Sequence, residues 1–196
     1  MYKKHIKRLL DILLSLIGLP FFCVIFFIIA PIIFLFDRGP IFYNADRIGY
    51  KGKKYKMFKF RSMKVNAPDI RNADGSTFNS EDDPRVTKIG KFLRKTSLDE
   101  VPQILNVLLG DMSLVGPRPN LPSVPYNSLP DIEKKRLNVR PGITGYNQAY
   151  FRNSVSSEVK FKNDVYYVEN VSLIFDLRIL IHTVISVFKH ENINTN

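Results

Sequence analysis

The 196-residue sequence predicts an α+β fold that is mainly helical. An N-terminal re-entrant membrane helix hairpin occupies residues 1–36, and a small cytoplasmic domain with a β-hairpin and amphipathic helices occupies 37–196. Three patterns carry this reading. Residues 12–36 hold no formal charge, two β-prone runs flank turn residues between 41 and 63, and helical periodicity with clear stops begins at residue 86.

As helix, the 25 residues from Ile12 to Phe36 reach about 37 Å, against a hydrocarbon core of about 30 Å. The run is too long for a signal peptide and lacks a small-residue cleavage site. A plain spanning anchor fits the length. Two features favour a hairpin instead. Pro20 and Pro31 each remove a helical hydrogen bond and strand the carbonyls of Leu16 and Phe27, with Ser15 available to satisfy a freed group. Basic residues also lie on both sides: Lys3, Lys4, Lys7 and Arg8 before, then Arg47, Lys51, Lys53, Lys54, Lys56, Lys59, Arg61 and Lys64 after. The positive-inside rule pulls both ends to the cytoplasm, which a helix that enters, bends and returns can satisfy.

Ile41–Tyr43 and Tyr55–Phe60 are the arms of the expected hairpin, with residues 50–53 as its turn. Lys56, Phe58 and Phe60 share one face; Tyr55, Met57, Lys59 and Arg61 share the other. Residues 66–84 read as a mobile polar loop, and helices are expected over Val86–Lys95 and Val101–Leu109, the second stopped by Gly110. A proline-rich stretch runs from Pro117 to Pro130. The final apolar run, Leu173–Phe188, contains Asp176, Arg178 and His182, so it reads as an amphipathic helix capped by Ser172 rather than a second span.

Net charge is +11, of which residues 1–36 carry +3 and the remainder +8, so anionic partners are favoured. The only cysteine, Cys23, excludes an intrachain disulfide and fits a cytosolic setting. His5, His182 and His190 match no metal-ligand spacing, which argues against structural zinc and histidine-based catalysis.

Chemistry concentrates between Arg94 and Pro119. Ser97-Leu98-Asp99-Glu100 fits a capping box, and Pro102 moves the cap toward Asp99, so the two acids alone read as helix-start residues. Their company suggests more. Arg94 lies one turn upstream, and Arg118 stands between Pro117 and Pro119, which fix its backbone. Lys59, Arg61, Arg94, Arg118, Arg140 and Arg152 can together clamp a diphosphate. A carboxylate can attack phosphorus, and a second helps hold the Mg²⁺ that neutralises an anionic substrate. Two other readings remain: a non-catalytic membrane-bound module binding anionic lipid or a partner, and a nucleic-acid platform over 50–64, which no nucleic-acid motif supports.

Several motifs run in order through nearly the whole chain. They are Lys7-Arg8-Leu9-Leu10-Asp11, Gly39-Pro40-Ile41-Phe42, Lys59-Phe60-Arg61-Ser62-Met63, Ser97-Leu98-Asp99-Glu100-Val101-Pro102-Gln103 and Gly110-Asp111-Met112-Ser113. Gly116-Pro117-Arg118-Pro119, Arg140-Pro141-Gly142-Ile143-Thr144-Gly145 and Asp164-Val165-Tyr166-Tyr167 follow. With these the sequence resembles the bacterial sugar transferases, monotopic phosphoglycosyl transferases that start polyprenyl-linked glycan assembly. The resemblance implies a polyprenyl-phosphate sugar-1-phosphate transferase at the cytoplasmic face of the bacterial inner membrane. Asp99 is then the nucleophile toward a UDP-sugar, an N-acetylated one by expectation. UMP leaves, and polyprenyl phosphate (undecaprenyl phosphate in most bacteria) takes the phosphosugar. Glu100 assists through Mg²⁺, which Asp99 and Glu100 hold, or through proton handling. Lys59, Arg61, Arg94, Pro117, Arg118, Pro119 and Arg152 bind substrate. Asp164 is either a structural acceptor or a site residue. The partners so implied are UDP-sugar, polyprenyl phosphate and the anionic cytoplasmic leaflet, with no nucleic acid and with homodimerisation left open. The sequence departs from the family in one place: Cys23-Val24 stands where a Ser-Pro break is usual.

Overall fold

The structure is a computed structural model and describes residues 1–70, 78, 80, 82–121, 125–151 and 154–189, without the side chains of residues 4, 37, 188 and 189. A π-helical turn, Tyr2–Ile6, leads into α1 (Lys7–Asp37). Strands β1 (Phe42–Ile48) and β2 (Lys54–Phe60) follow as an antiparallel hairpin, with Phe42 opposite Phe60 and Ile48 opposite Lys54. Next come α2 (Lys88–Thr96), α3 (Gln103–Leu109), β3 (Ser113–Val115), α4 (Asp131–Arg136) and β4 (Gly142–Thr144). Three helices close the chain: α5 (Tyr146–Tyr150), α6 (Ser157–Glu169) and α7 (Leu173–Lys189). The fold is α+β and mainly helical, as the sequence predicts.

The apolar segment differs from the expected hairpin. Lys7–Phe36 is long and apolar enough to cross a membrane, yet α1 is one helix through both prolines. Its buried positions, Lys7, Asp11, Ser15, Phe22, Ile29, Ala30 and Ile33, fall one or two helical turns apart, with Ile29 and Ala30 adjacent, and form one stripe along the domain. Pro20 and Pro31 lie on the opposite, exposed side. Each therefore interrupts the ladder where no packing depends on it, and the docked stripe carries the helix past. Ser15 turns inward with its hydroxyl buried and unpartnered, so it does not satisfy the carbonyl of Leu16. The helix is also held at both ends by the same domain. Lys7 Nζ pairs with Asp176 at 2.7 Å, while Ile33 packs with Phe60 and Leu93.

Both faces of the hairpin are covered. On one, Phe42 and Phe60 stack with Phe22 and Phe26 of α1, at ring-centroid distances of 5.6–6.5 Å. On the other, Ala45, Tyr55 and Met57 meet Val107 and Met112 from α3 and the turn after it. Asn106, fully buried in α3, locks these layers together. Its Oδ1 accepts from Phe58 N at 2.8 Å, and its Nδ2 donates to Lys56 O at 2.7 Å. Gly110, at φ +90°, ends α3 as expected. Arg8 satisfies that helix end by donating to the carbonyls of Val107 (2.6 Å) and Leu108 (3.1 Å).

The other expected helices start slightly later: Lys88 for Val86, capped by Thr87 Oγ1, and Gln103 for Val101. In the polar stretch expected to be mobile, residues 71–77, 79 and 81 lie outside the described residues. Asp83 and Arg85 form a buried ion pair there that the sequence reading missed. Helix α7 is capped by Ser172 as expected and packs Ile179 inward, leaving Ile174, Leu177, Ile181 and Val184 exposed.

Asn106→Ala leaves the part-buried Phe58 amide and Lys56 carbonyl without their partner, removing two hydrogen bonds worth about 0.5–1.5 kcal/mol each. A clear loss of thermal stability in detergent is expected; an unchanged melting temperature would show the hairpin is held by its apolar faces alone.

Candidate active site

Helix α2 ends at Ser97, whose φ of +59° turns the chain into a 3₁₀ turn, Leu98–Glu100, before Pro102 opens α3. Leu98 and Val101 pack against the cluster that holds α1. The capping box expected from the sequence is not formed, because Ser97 makes no side-chain cap bond. A side-chain cap needs extended backbone at the capping residue, and Ser97, left-handed at the end of α2, does not have it. Asp99 and Glu100 are therefore not committed to helix-start amides. They meet Lys59 of β2, whose Nζ lies 3.2 Å from Asp99 Oδ2 and 2.7 Å from Glu100 Oε1.

Arg118 reaches the same pair, with Nη2 at 3.5 Å from Glu100 Oε1, and its side chain remains 59% exposed. Its backbone is fixed from below. Pro117 O accepts from Gly142 N at 3.0 Å, and Arg118 O accepts from Arg136 Nη2 at 3.1 Å. Gly116 permits this closeness: a Cβ there would lie 2.4 Å from Arg140 O and 2.8 Å from Gly142 N. Arg136 is itself held by Asp164 Oδ2 (2.7 Å) and Asn120 Oδ1 (2.7 Å), and Asn147 donates to the other oxygen of Asp164. Asp164, 2% exposed, is thus a structural acceptor under the loop.

Burial pushes the Asp99 carboxyl above its ordinary range; Lys59 opposes that shift and the adjacent Glu100 adds to it. Burial acts on Glu100 in the same direction, but Lys59 and Arg118 outweigh it and hold Glu100 down to about 2. Two neighbouring carboxylates share one ammonium, so the pair separates into a firmly anionic member and a more basic one. The more basic oxygen is the better nucleophile toward phosphorus. Neither carboxylate accepts a backbone amide among the described residues.

Of the residues singled out by sequence, Lys59, Asp99, Glu100 and Arg118 come together in direct contact. Arg94 donates Nε to Ser62 Oγ at 3.0 Å, and its charge acts on Asp99. Pro117 is buried and Pro119 half-buried on either side of Arg118. Arg61 donates Nε to Pro40 O at 2.7 Å, tying the end of β2 to the exit of α1. Arg152 lies outside the described residues. Arg136, Asn120 and Asn147 were missed: they support the loop through contacts 13–28 residues apart in the chain, a separation that local pattern does not report. No cluster of three metal-ligating side chains exists among the described residues. The Asp99–Glu100 pair alone suits a hard divalent cation that takes its remaining oxygens from water and phosphate.

A family model described as bacterial sugar transferase matches residues 2–190. The galactosyl transferase CpsE of Streptococcus agalactiae serotype III is 42% identical over 186 residues, which cover 90% of this chain and 41% of the relative. The uncharacterized sugar transferase EpsL of Bacillus subtilis is 41% identical over 191 residues, covering 96% of this chain and 90% of the relative. A UDP-N-acetylgalactosamine-undecaprenyl-phosphate N-acetylgalactosaminephosphotransferase of Aeromonas hydrophila is 36% identical over 184 residues, covering 91% and 43%. The chain thus spans about two fifths of the first and third relatives and nine tenths of the second.

Arg136→Met leaves Asp164 buried without its cation, and a stability loss of about 3–5 kcal/mol is expected. Arg136→Met combined with Asp164→Leu is expected to recover much of it. A double variant no better than the single one would mean the pair does not act as a unit.

Proposed function

The chain belongs to the bacterial sugar transferase family, and on that premise we propose that it transfers a sugar-1-phosphate from a UDP-sugar, an N-acetylated one, to undecaprenyl phosphate. In the first step an oxygen of Asp99 attacks the β-phosphorus of the donor. The bond from that phosphorus to the bridging oxygen breaks, UMP leaves, and the phosphosugar stays on Asp99 as an acyl phosphate. In the second step a phosphate oxygen of the polyprenyl phosphate attacks the same phosphorus, releasing Asp99 and forming polyprenyl-diphosphate-sugar. One observation carries this reading. A carboxylate only 7% exposed and bonded by no amide among the described residues sits with Lys59 and Glu100, within reach of an exposed arginine on a fixed loop.

Lys59 keeps two adjacent anions side by side and offers its charge to the incoming diphosphate. Arg118 stands on the solvent side of the pair, placed to meet phosphate oxygens. Arg94, Pro117 and Pro119 complete the substrate wall, and Arg152 belongs to it by family likeness. Arg61 acts from the α1 exit. Asp99 and Glu100 would hold Mg²⁺, which supplies neutralisation of phosphate charge in both steps.

Helix α1 supports a membrane placement. Leu16, Ile17, Phe21, Val24, Phe27 and Ile28 are exposed on its outer side, and both ends are fastened to one domain. Such a helix suits a shallow position lying in the cytoplasmic leaflet of the inner membrane, with the lipid phosphate at the height of the catalytic pair. Lysines and arginines near that surface add about 1 kcal/mol each through anionic lipid.

Asp99→Asn is expected to cut UMP release from UDP-sugar by about 10⁴-fold and to abolish trapping of labelled phosphosugar on the protein. Substantial release in that variant would remove Asp99 as nucleophile, and release that survives chelation would remove Mg²⁺. Only ionised Asp99 attacks, so the rate falls as pH drops through its pKa, which lies above the ordinary value of about 3.9. Lys59→Met removes an opposing charge and is expected to move this acid limb to higher pH in the residual activity; an unmoved limb would assign it to another group.

A further inference from the structure

Away from the carboxylate pair, positive charge gathers where the first turn of α1 meets the last turn of α3. Arg8 donates Nη1 to Val107 O and Nη2 to Leu108 O, at 2.6 and 3.1 Å. Arg140 reaches the same helix end, donating Nε to Gly110 O at 2.8 Å. Gly110 keeps the approach open, since a Cβ there would already lie 3.4 Å from Arg8 Nη2. The charge of Arg140 acts on Arg8, and like charges so placed repel.

Among the described residues neither guanidinium forms an ion pair, and neither touches Asp99 or Glu100. Asp11 offsets part of the Arg8 charge, but its Oδ1 already accepts from Ser113 Oγ and Leu114 N. The two Nη groups of Arg140 carry no hydrogen bond among the described residues and are not buried, so they are open to a ligand. Arg140 also lines a cavity of about 160 Å³, together with Gly49, Tyr50, Lys53 and Asp111 among others. This is about five water volumes of about 30 Å³, room for a tetrahedral phosphate and its waters. Lys53 and Asp111 balance each other at 3.3 Å, which leaves the arginine charge uncompensated. Tyr55, in the same wall, stands four residues and about 13 Å along β2 from Lys59.

The surroundings of these charges select the kind of anion. Leu9 follows Arg8 and is 57% exposed; Leu109 precedes Gly110 and is 68% exposed. Leu13, one turn after Leu9, continues the apolar border onto the outer side of α1. A free inorganic anion gains nothing from such a border. A phospholipid covers it with acyl chain while its phosphate meets the guanidinium.

We propose that this corner binds the phosphate of an anionic phospholipid, with Arg140 and Lys53 on the phosphate oxygens, Arg8 reinforcing their charge, and Leu9 and Leu109 against the acyl chains. It rests on the membrane placement of α1 and not on the transfer chemistry. The test is native mass spectrometry of the full chain in a neutral detergent, titrated with phosphatidylglycerol, phosphatidylcholine or inorganic phosphate. The first phosphatidylglycerol is expected to bind about tenfold more tightly than phosphatidylcholine. Arg140→Gln lowers phosphatidylglycerol affinity about tenfold and leaves phosphatidylcholine unchanged. Leu109→Asn, at an exposed position, weakens phosphatidylglycerol about threefold and inorganic phosphate not at all. Asp111→Asn removes the carboxylate of the cavity and strengthens phosphatidylglycerol about threefold, a gain that damage to the fold would not produce. Equal affinity for the two lipids, phosphatidylglycerol binding untouched by Arg140→Gln, or binding weakened by Asp111→Asn would overturn the site. Inorganic phosphate binding as tightly as phosphatidylglycerol, with Leu109→Asn silent, would overturn its assignment to lipid. Failure of both lipids to bind would remove the membrane placement of α1 along with the site, whereas binding without headgroup preference removes the site alone.

Discussion

Two carboxylates on consecutive residues repel each other, and burial makes that worse. The ammonium of Lys59, within 3.2 Å of both, is what lets Asp99 and Glu100 coexist at the edge of the domain. Much of the surrounding architecture holds the two sides of this contact in place. Asn106 pins β2, and so Lys59, to α3; the packing of Leu98 and Val101 pins the 3₁₀ turn that carries the acids. A shift of either side by about 1 Å would weaken both attractions by roughly a quarter.

The basic loop opposite is positioned by a different device. Arg118 is exposed at its tip, but its backbone rests on Arg136, which Asp164 and Asn147 hold from α6 and α5. A second polar chain runs to the same strand from the N-terminus. Asp11 accepts from Ser113 Oγ and Leu114 N, both at 3.0 Å, and Tyr167 bridges Asp176 to the carbonyl of Val115. These bonds converge on β3, the three residues that lead directly into Gly116-Pro117-Arg118-Pro119.

Much of this was legible in the sequence. The β-hairpin, the stop at Gly110, the cap at Ser172 and the gathering of Lys59, Asp99, Glu100 and Arg118 follow from alternation, turn chemistry and motif order. The capping box did not survive, because Ser97 closes α2 in a left-handed conformation that its residue type does not advertise. The hairpin inferred from Pro20 and Pro31 gave way to one helix because tertiary packing runs along the face opposite the prolines, and no local pattern reports that. The parallel pairing of β3 with β4 joins residues about thirty apart and was likewise invisible, although the glycines that allow it, Gly116 and Gly142, stand in the motifs.

The inward stripe of α1 begins with polar residues rather than greasy ones. Lys7, Arg8 and Asp11 do not simply mark which side of a bilayer the chain occupies; they are bonded to Asp176, to the end of α3 and to β3. The helix is accordingly a structural wall of the domain and not a detachable mooring. Grafting a generic hydrophobic helix in its place would remove the floor on which the arginine loop is built, so the apolar helix and that loop cannot be engineered separately in this chain.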